Sequence, residues 1–192
     1  MSKLIDIHTH HPTDKTITPT SVGIHPWDAA SSKVADIEPL IADVDVVGEI
    51  GLDAICEVGI EQQLAIFREQ LALAERYDKP VILHCVRTFE QMMKVLAEYN
   101  LRGVIFHGFV GSPEQAERAV ERGYFLSFGE RTFRSPKTIK SLQQTPLNQL
   151  FIETDESFTP IAETYTKIAD LRGVTVEQLT TVTKENLERI LG

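Results

Sequence analysis

The sequence predicts an α/β protein assembled from parallel β/α units. Two observations carry this: short runs rich in Val and Ile recur along the chain, and each is followed by a helix-like stretch rather than a tight hairpin turn. With 192 residues, 42% hydrophobic content and 24% charge, the chain is long enough for one well-buried core, and a single domain over residues 1–192 is expected.

Seven strands are expected in order, at residues 3–9, 20–24, 45–50, 81–84, 103–107, 124–128 and 150–154. Helices are expected at residues 33–42, 60–77, 88–99, 113–122, 136–145, 160–171 and 176–191. The stretch "GSPEQAERAVERG" shows the signals well. Ser112 suits the N-cap, Pro113 the first helical position, Gln115 the reciprocal half of a capping box, and Gly123 the residue after the last turn. One interval is short. Between the first strand and "SVGIHP" lie the ten residues "HHPTDKTITP", whereas a crossover to a parallel neighbour takes roughly 10 to 12 residues including its helix. A complete β/α unit does not fit there, so a barrel built from this chain has seven strands or an irregular seam after its first strand.

The net charge of −9 argues against a broad basic face that grips long nucleic acid, since neutralisation of phosphates by Lys and Arg dominates such binding. It is compatible with a metal site, where divalent cations cancel clustered carboxylates and a phosphate-bearing substrate can still be held. Cys56 and Cys85 are isolated thiols, read as packing residues of a reducing compartment rather than a disulfide or zinc framework. No run reaches the roughly 18 apolar residues of a membrane span, the first residues lack a signal-peptide pattern, and a cytoplasmic location is expected. Nothing in the sequence calls for an obligate protein partner.

Metal-binding side chains recur at the strand ends. In "LIDIHTHHP", alternation puts His8 and His10 on one strand face, while His11 is out of phase and is read as a loop residue. "VVGEIGLD" ends with Glu49, "VILHC" with His84, "VIFHG" with His107 and "FIETD" with Asp155 just past Glu153. In a parallel α/β barrel such positions converge on one face. Five strands ending this way have no simple structural explanation, because buried carboxylates are costly unless paired or bound to a cation. Four histidines and two carboxylates exceed one tetrahedral zinc site and suit two cations roughly 3.5 to 4 Å apart with a bridging carboxylate. Glu49 is the best bridging candidate, since no lysine stands at a strand end to serve instead.

The ordered set "IDIHTH", "VGIHPW", "GEIGLD", "VILHC", "VIFHGFVGSPEQA", "FIETD" and "VTVEQLTTVTKENLERIL" resembles the TatD family of metal-dependent hydrolases, within the amidohydrolase-type barrels. The resemblance covers nearly the whole chain. It implies a distorted TIM-like (β/α) barrel, here seven-stranded with one β/α unit missing after strand 1, that binds two divalent cations. His8, His10, Glu49 and Asp155 would hold one ion; Glu49, His84 and His107 would hold the other. Asp155 would orient and deprotonate the attacking water, whose pKa a bound cation lowers from 15.7 to about 7. His25 in "GIHPW" matches a family position that lines the site, and it also reads as a structural histidine held beside Pro26.

Departures from the family pattern bear on substrate rather than on metal. The fourth-strand histidine is followed by "CVRTFE" in place of the usual H-x-R-D-A arrangement, which displaces Arg87 by one residue. The family's "HCFSG" reads "HGFVG", and its "ETDSP" reads "ETDES". Arg87, Arg131 and Arg134 are expected to clamp a phosphate, the alternative being ion pairs with Glu90, Glu130 or Glu156. The leading expectation is a phosphodiesterase or deoxyribonuclease acting on small or single-stranded nucleic acid. Carboxyl-ester or amide hydrolysis, such as D-aminoacyl-tRNA deacylation, is a second, because two-metal sites serve carbonyl and phosphoryl chemistry alike. A weakly active metal-binding scaffold is a third, motivated by the missing unit. The ligand set is compatible with zinc, manganese, nickel or magnesium.

Overall fold

The structure is a computed structural model and describes residues 3–192. In chain order its regular elements are β1 (Leu4–Ile5), β2 (Thr16–Ile17), β3 (Ser21–Val22), α1 (Val34–Ile37), β4 (Val46–Asp53), α2 (Ile60–Arg76), β5 (Val81–Val86), α3 (Phe89–Leu96) and β6 (Val104–Phe106). These are followed by α4 (Pro113–Glu121), β7 (Phe125–Phe128), α5 (Pro136–Gln144), β8 (Leu150–Ile152), α6 (Ile161–Arg172) and α7 (Val176–Leu191). The α/β class is as expected. Every expected strand is present, and the seven-strand count is corrected by one, because β2 occupies the short interval. Thr16 and Ile17 pair in parallel with Leu4 and Ile5, and Asp6 N–H donates to Ile17 O at 3.0 Å. A helix-free loop makes this connection, so a strand survives there while its helix does not.

The residues divide into two compact units, one running to Thr18 and resuming at His107–Gly192, the other Pro19–Phe106. In the second unit β3, β4, β5 and β6 lie in that order, all parallel. Val46, Val47, Ile50, Leu52, Val81–Leu83 and Val104–Phe106 are buried, the continuous apolar pattern of strands covered on both faces. Helix α2 lays Phe67, Leu71 and Ala74 into the core. Two buried glutamines seven residues apart on α2 share that inward side. Gln70 accepts from Ile24 N–H at 2.6 Å and donates to Ile24 O at 3.1 Å. Gln63 accepts from Asp53 N–H at 2.8 Å and donates to Asp53 O at 3.0 Å. Each side chain thus satisfies both backbone groups of a residue that a strand ladder would otherwise have to serve. The expected helix at 33–42 is four residues of α-helix followed by a 3₁₀ segment over Glu38–Asp43, since Pro39 has no N–H to continue the α pattern.

In the first unit β7 pairs with β8, β8 lies beside the chain following β1, and β1 pairs with β2. Ile7 N–H donates to Ile152 O at 3.1 Å, Asp155 N–H to His8 O at 3.0 Å, and His10 N–H to Asp155 O at 3.0 Å. The first strand is therefore the neighbour of the last, the relation that a (β/α) barrel requires of them. Helix α7 secures this edge: the buried Tyr165 of α6 donates to Ile5 O at 2.9 Å and meets Thr183 Oγ1 of α7 at 2.9 Å. The capping box of α4 forms as expected between Ser112 and Gln115. No helix among the described residues is long and apolar enough to cross a membrane.

Candidate metal centre

In the unit built from the chain ends, four expected ligands meet where β1 and β8 end. His8 and Asp155 are brought together by the backbone bonds just described, and His107 follows β6 into a turn at Gly108, whose φ of 51° is left-handed. Donor atoms of His8, His107 and Asp155 all lie within 4.8 Å of one another. The His8 and His107 ring centroids are 4.5 Å apart, and those of His8 and His10 5.2 Å. Asp155 Oδ1 lies 4.0 Å from His8 Nε2 and 3.6 Å from His10 Nε2, while Oδ2 lies 3.9 Å from the Arg131 guanidinium. His107, expected beside Glu49 and His84, stands in the group of His8 and Asp155.

Glu153 is the residue here that strand-end reasoning passed over. It is 1% exposed, 3.4 Å from His107 Nδ1, and its Oε1 accepts from Gly108 N–H at 2.6 Å. Burial alone would push its carboxyl up; the charge and hydrogen bond of His107, together with His8 and Ser127, bring it below the ordinary carboxylate value. Asp155 moves the opposite way, raised by burial and by the Glu153 charge against the pull of His107, His8 and Arg131. Asp6, on the same strand face as His8 and His10, is also buried. Its carboxyl is pushed up to about 6 chiefly by burial, against hydrogen bonds from Thr154, whose N–H and hydroxyl it accepts at 2.9 and 2.7 Å. His11, expected as a loop bystander, stacks on the exposed Phe158 ring at 4.4 Å.

Arg131 and Arg134 line a cavity of about 230 Å³ together with Gly108, Glu153 and Asp155. The ion-pair alternative has its counterpart here for these two arginines. Arg131 faces Asp155 and also Glu156 at 3.6 Å, and Arg134 pairs with Glu130 at 3.4 Å.

In the other unit, Glu49 and Asp53 project from one face of β4, four residues apart, toward His84 of β5; β4 runs on to Asp53 and β5 to Val86, so neither Glu49 nor His84 ends its strand as expected. Glu49 Oε1 is 2.6 Å from His84 Nδ1 and 3.5 Å from His25 Nε2. Asp53 Oδ2 is 3.1 Å from His84 Nε2 and accepts from the Trp27 indole N–H at 2.8 Å. Burial would raise the Asp53 carboxyl, and the bonds from Trp27, the Ile55 N–H and His84 instead hold it below its ordinary value. The donor atoms of His25, Glu49 and His84 lie within 4.8 Å of one another. His25 Nδ1 accepts from Trp27 N–H at 3.2 Å, so a neutral ring carries its proton on Nε2 and presents a donor rather than a ligand. The structural reading of His25 has its counterpart here: Nδ1 caps the turn at Pro26–Asp28, while Nε2 faces Glu49. Arg87 is exposed after β5 with φ 57° and belongs to neither donor group.

Imidazole nitrogens and carboxylate oxygens gathered this closely are the donor set that divalent transition metals take, so the group of His8, His107 and Asp155 fits an expected ion, while in the other unit Glu49 and His84 are the two residues left to serve as ligands. Asp53 was detectable in principle from its even spacing from Glu49. Trp27 had no such signal, because its partner is 26 residues away.

Comparison with known proteins agrees with this chemistry. A family model described as TatD related DNase matches residues 5–192. The uncharacterized metal-dependent hydrolase YjjV of Escherichia coli is 38% identical over 152 residues, 73% of this chain and 59% of that protein, so the match spans less than two thirds of the relative's length. The 3'-5' ssDNA/RNA exonuclease TatD of Edwardsiella piscicida is 31% identical over 151 residues, 72% of this chain and 57% of that protein. The crystal structure of YjjV superposes with a TM-score of 0.81 at 28% identity, covering 93% of this chain and 78% of that one.

Proposed function

Because the chain belongs to the family of TatD related DNases, we propose that it is a divalent-metal-dependent hydrolase that cleaves phosphodiester bonds in small or single-stranded nucleic acid. The observation that carries this reading is the placement of Asp155. One oxygen faces His8 and His10, the other faces Arg131, at the edge of a cavity that Arg131 and Arg134 line. A guanidinium matches the geometry of a phosphate, which favours phosphoryl over carbonyl chemistry at this position. The exonuclease name of the Edwardsiella relative supports the same substrate class.

In this reading His8, His10, His107 and Asp155 would hold one divalent cation, and Glu49 and His84 would hold a second within their own unit. Bound divalent ions supply charge stabilisation and lower the pKa of water. The chain's own groups do the rest. Arg131 holds the phosphate, and Asp155 Oδ1 takes the proton of the attacking water. The new P–O bond forms as the old one breaks, and the leaving oxygen gains a proton. Two uncrosslinked thiols support a cytoplasmic setting.

The test is digestion of end-labelled single-stranded oligonucleotides with Mg²⁺, Mn²⁺, Zn²⁺ or Ni²⁺. Metal-dependent shortening that Asp155→Ala abolishes is expected, with about two ions per chain by elemental analysis. Digestion no greater than that of Asp155→Ala with every metal would overturn the proposal.

A further inference from the structure

Trp27 is the chain's single tryptophan and is 60% exposed, although it lies against two histidines of the donor group. Its ring meets His25 edge-on at 4.9 Å and stands 6.5 Å from His84. The ring is not free to swing. Its indole N–H is tied to Asp53, which is 2% exposed and has its own Oδ1 occupied by the Ile55 N–H at 2.9 Å. An indole that keeps its polar edge satisfied inside and its π-face outside is a preformed platform, with little ordering left to lose on contact.

Beside this face opens a cavity of about 430 Å³, lined by Trp27, Asp53, Ile55, Cys56, Glu57 and Val58. Its apolar wall includes Ile55, itself 63% exposed. Its charged lining residues, Asp53 and Glu57, are both acidic, which repels a phosphate. Since Asp53 is committed to Trp27, His84 and Ile55, Glu57 is the carboxylate left to accept hydrogen bonds from an occupant. A flat ring that carries N–H donors and no charge satisfies all of these conditions.

We infer that Trp27 and this cavity form a stacking subsite for one nucleobase of the substrate strand, with the base's N–H groups directed to Glu57. The inference rests on the nucleic-acid reading and adds to it a base site within the unit of residues 19–106, beside His25 and His84. Stacking on an aromatic side chain accepts any base, so the subsite orders a strand end without demanding a sequence.

The lone tryptophan makes the site directly readable. Titration with deoxynucleosides in EDTA, followed by Trp27 fluorescence, is expected to show saturable quenching, whereas 2-deoxyribose 5-phosphate leaves the emission unchanged. On oligonucleotides, Trp27→Ala is expected to raise KM about tenfold with kcat little altered, and Trp27→Phe to recover most of that loss because it keeps a ring. Substrates abasic at the strand end are expected to lose less on Trp27→Ala than base-bearing ones do, since only the latter have a ring to stack. Absence of saturable quenching by every nucleoside, or equal losses in the Phe and Ala variants, would overturn the subsite. The titration needs no metal and no turnover, so quenching by an inactive chain would refute the cleavage reading alone.

Discussion

Asp53 Oδ2 and His84 Nε2 stand 3.1 Å apart, while the other ring nitrogen of His84 lies 2.6 Å from Glu49. Asp53 thus holds the side of the ring remote from the donor group, the arrangement in which an outer carboxylate fixes the tautomer and aim of a metal-binding imidazole. Asp53→Asn keeps the shape and removes the charge. It is expected to weaken metal binding by about 10- to 100-fold, read by calorimetric titration, with an unchanged circular dichroism spectrum. Unaltered affinity would reduce Asp53 to an anchor for Trp27.

Gly51 sits between these two carboxylates with φ 147°, and an added Cβ would lie 2.0 Å from His84 O. Its paired register with His84 leaves no room for a side chain. Gly51→Ala is expected to destabilise the fold by more than about 3 kcal/mol, because both backbone strain and a backbone clash must be relieved. Chemical denaturation of the variant would read it; a loss under 1 kcal/mol would contradict the close approach.

Gln70 is buried and serves both backbone groups of Ile24, the residue before His25. Gln70→Leu preserves apolar volume but strands an N–H and a C=O. A loss of about 2 to 6 kcal/mol is expected from two unsatisfied groups at roughly 1 to 3 kcal/mol each. Urea denaturation measures the loss. Trp27 emission should shift with it, because the same turn carries the indole.

Glu130 fastens the segment after β8: it accepts from Ser157 Oγ at 2.6 Å and Thr159 Oγ1 at 3.1 Å. These bonds, Ser157 first and then Thr159 and Arg134, hold its carboxyl below the ordinary 4.5. A depressed folded value means the fastening is complete above that pH and is lost as pH falls through the folded value. Amide exchange at residues 157–159, corrected for its intrinsic pH dependence, should therefore lose protection as pH falls below 4.5. In Glu130→Gln that change should be flattened; an identical profile would place the fastening elsewhere.

Element order was legible from local chemistry. The capping box at Ser112 and Gln115, Gly173 ending α6 in a left-handed turn, and the Val- and Ile-rich runs each report their own structure. The candidate ligand types were legible too, because a strand's alternation places His8 with His10 on a common face; Asp53 was not picked out, because it lies beyond residue 50, where that strand was expected to end. The strand at Thr16–Ile17 was not. Two residues carry no period, and they are a strand because Leu4 and Ile5 offer them a ladder.

What the sequence determined by itself, then, was the supply of candidate ligands and the strands that present them, since both depend on neighbours within a few residues. The tertiary structure decided which groups answer one another: Glu153 with His107 across 46 residues, Asp53 with His84 across 31, Trp27 with Asp53 across 26. Such pairings depend on strand register and side-chain direction, and they set the charge on each carboxylate through burial and contact. That is why Glu153 and Asp155, two residues apart and alike in sequence, are driven in opposite directions.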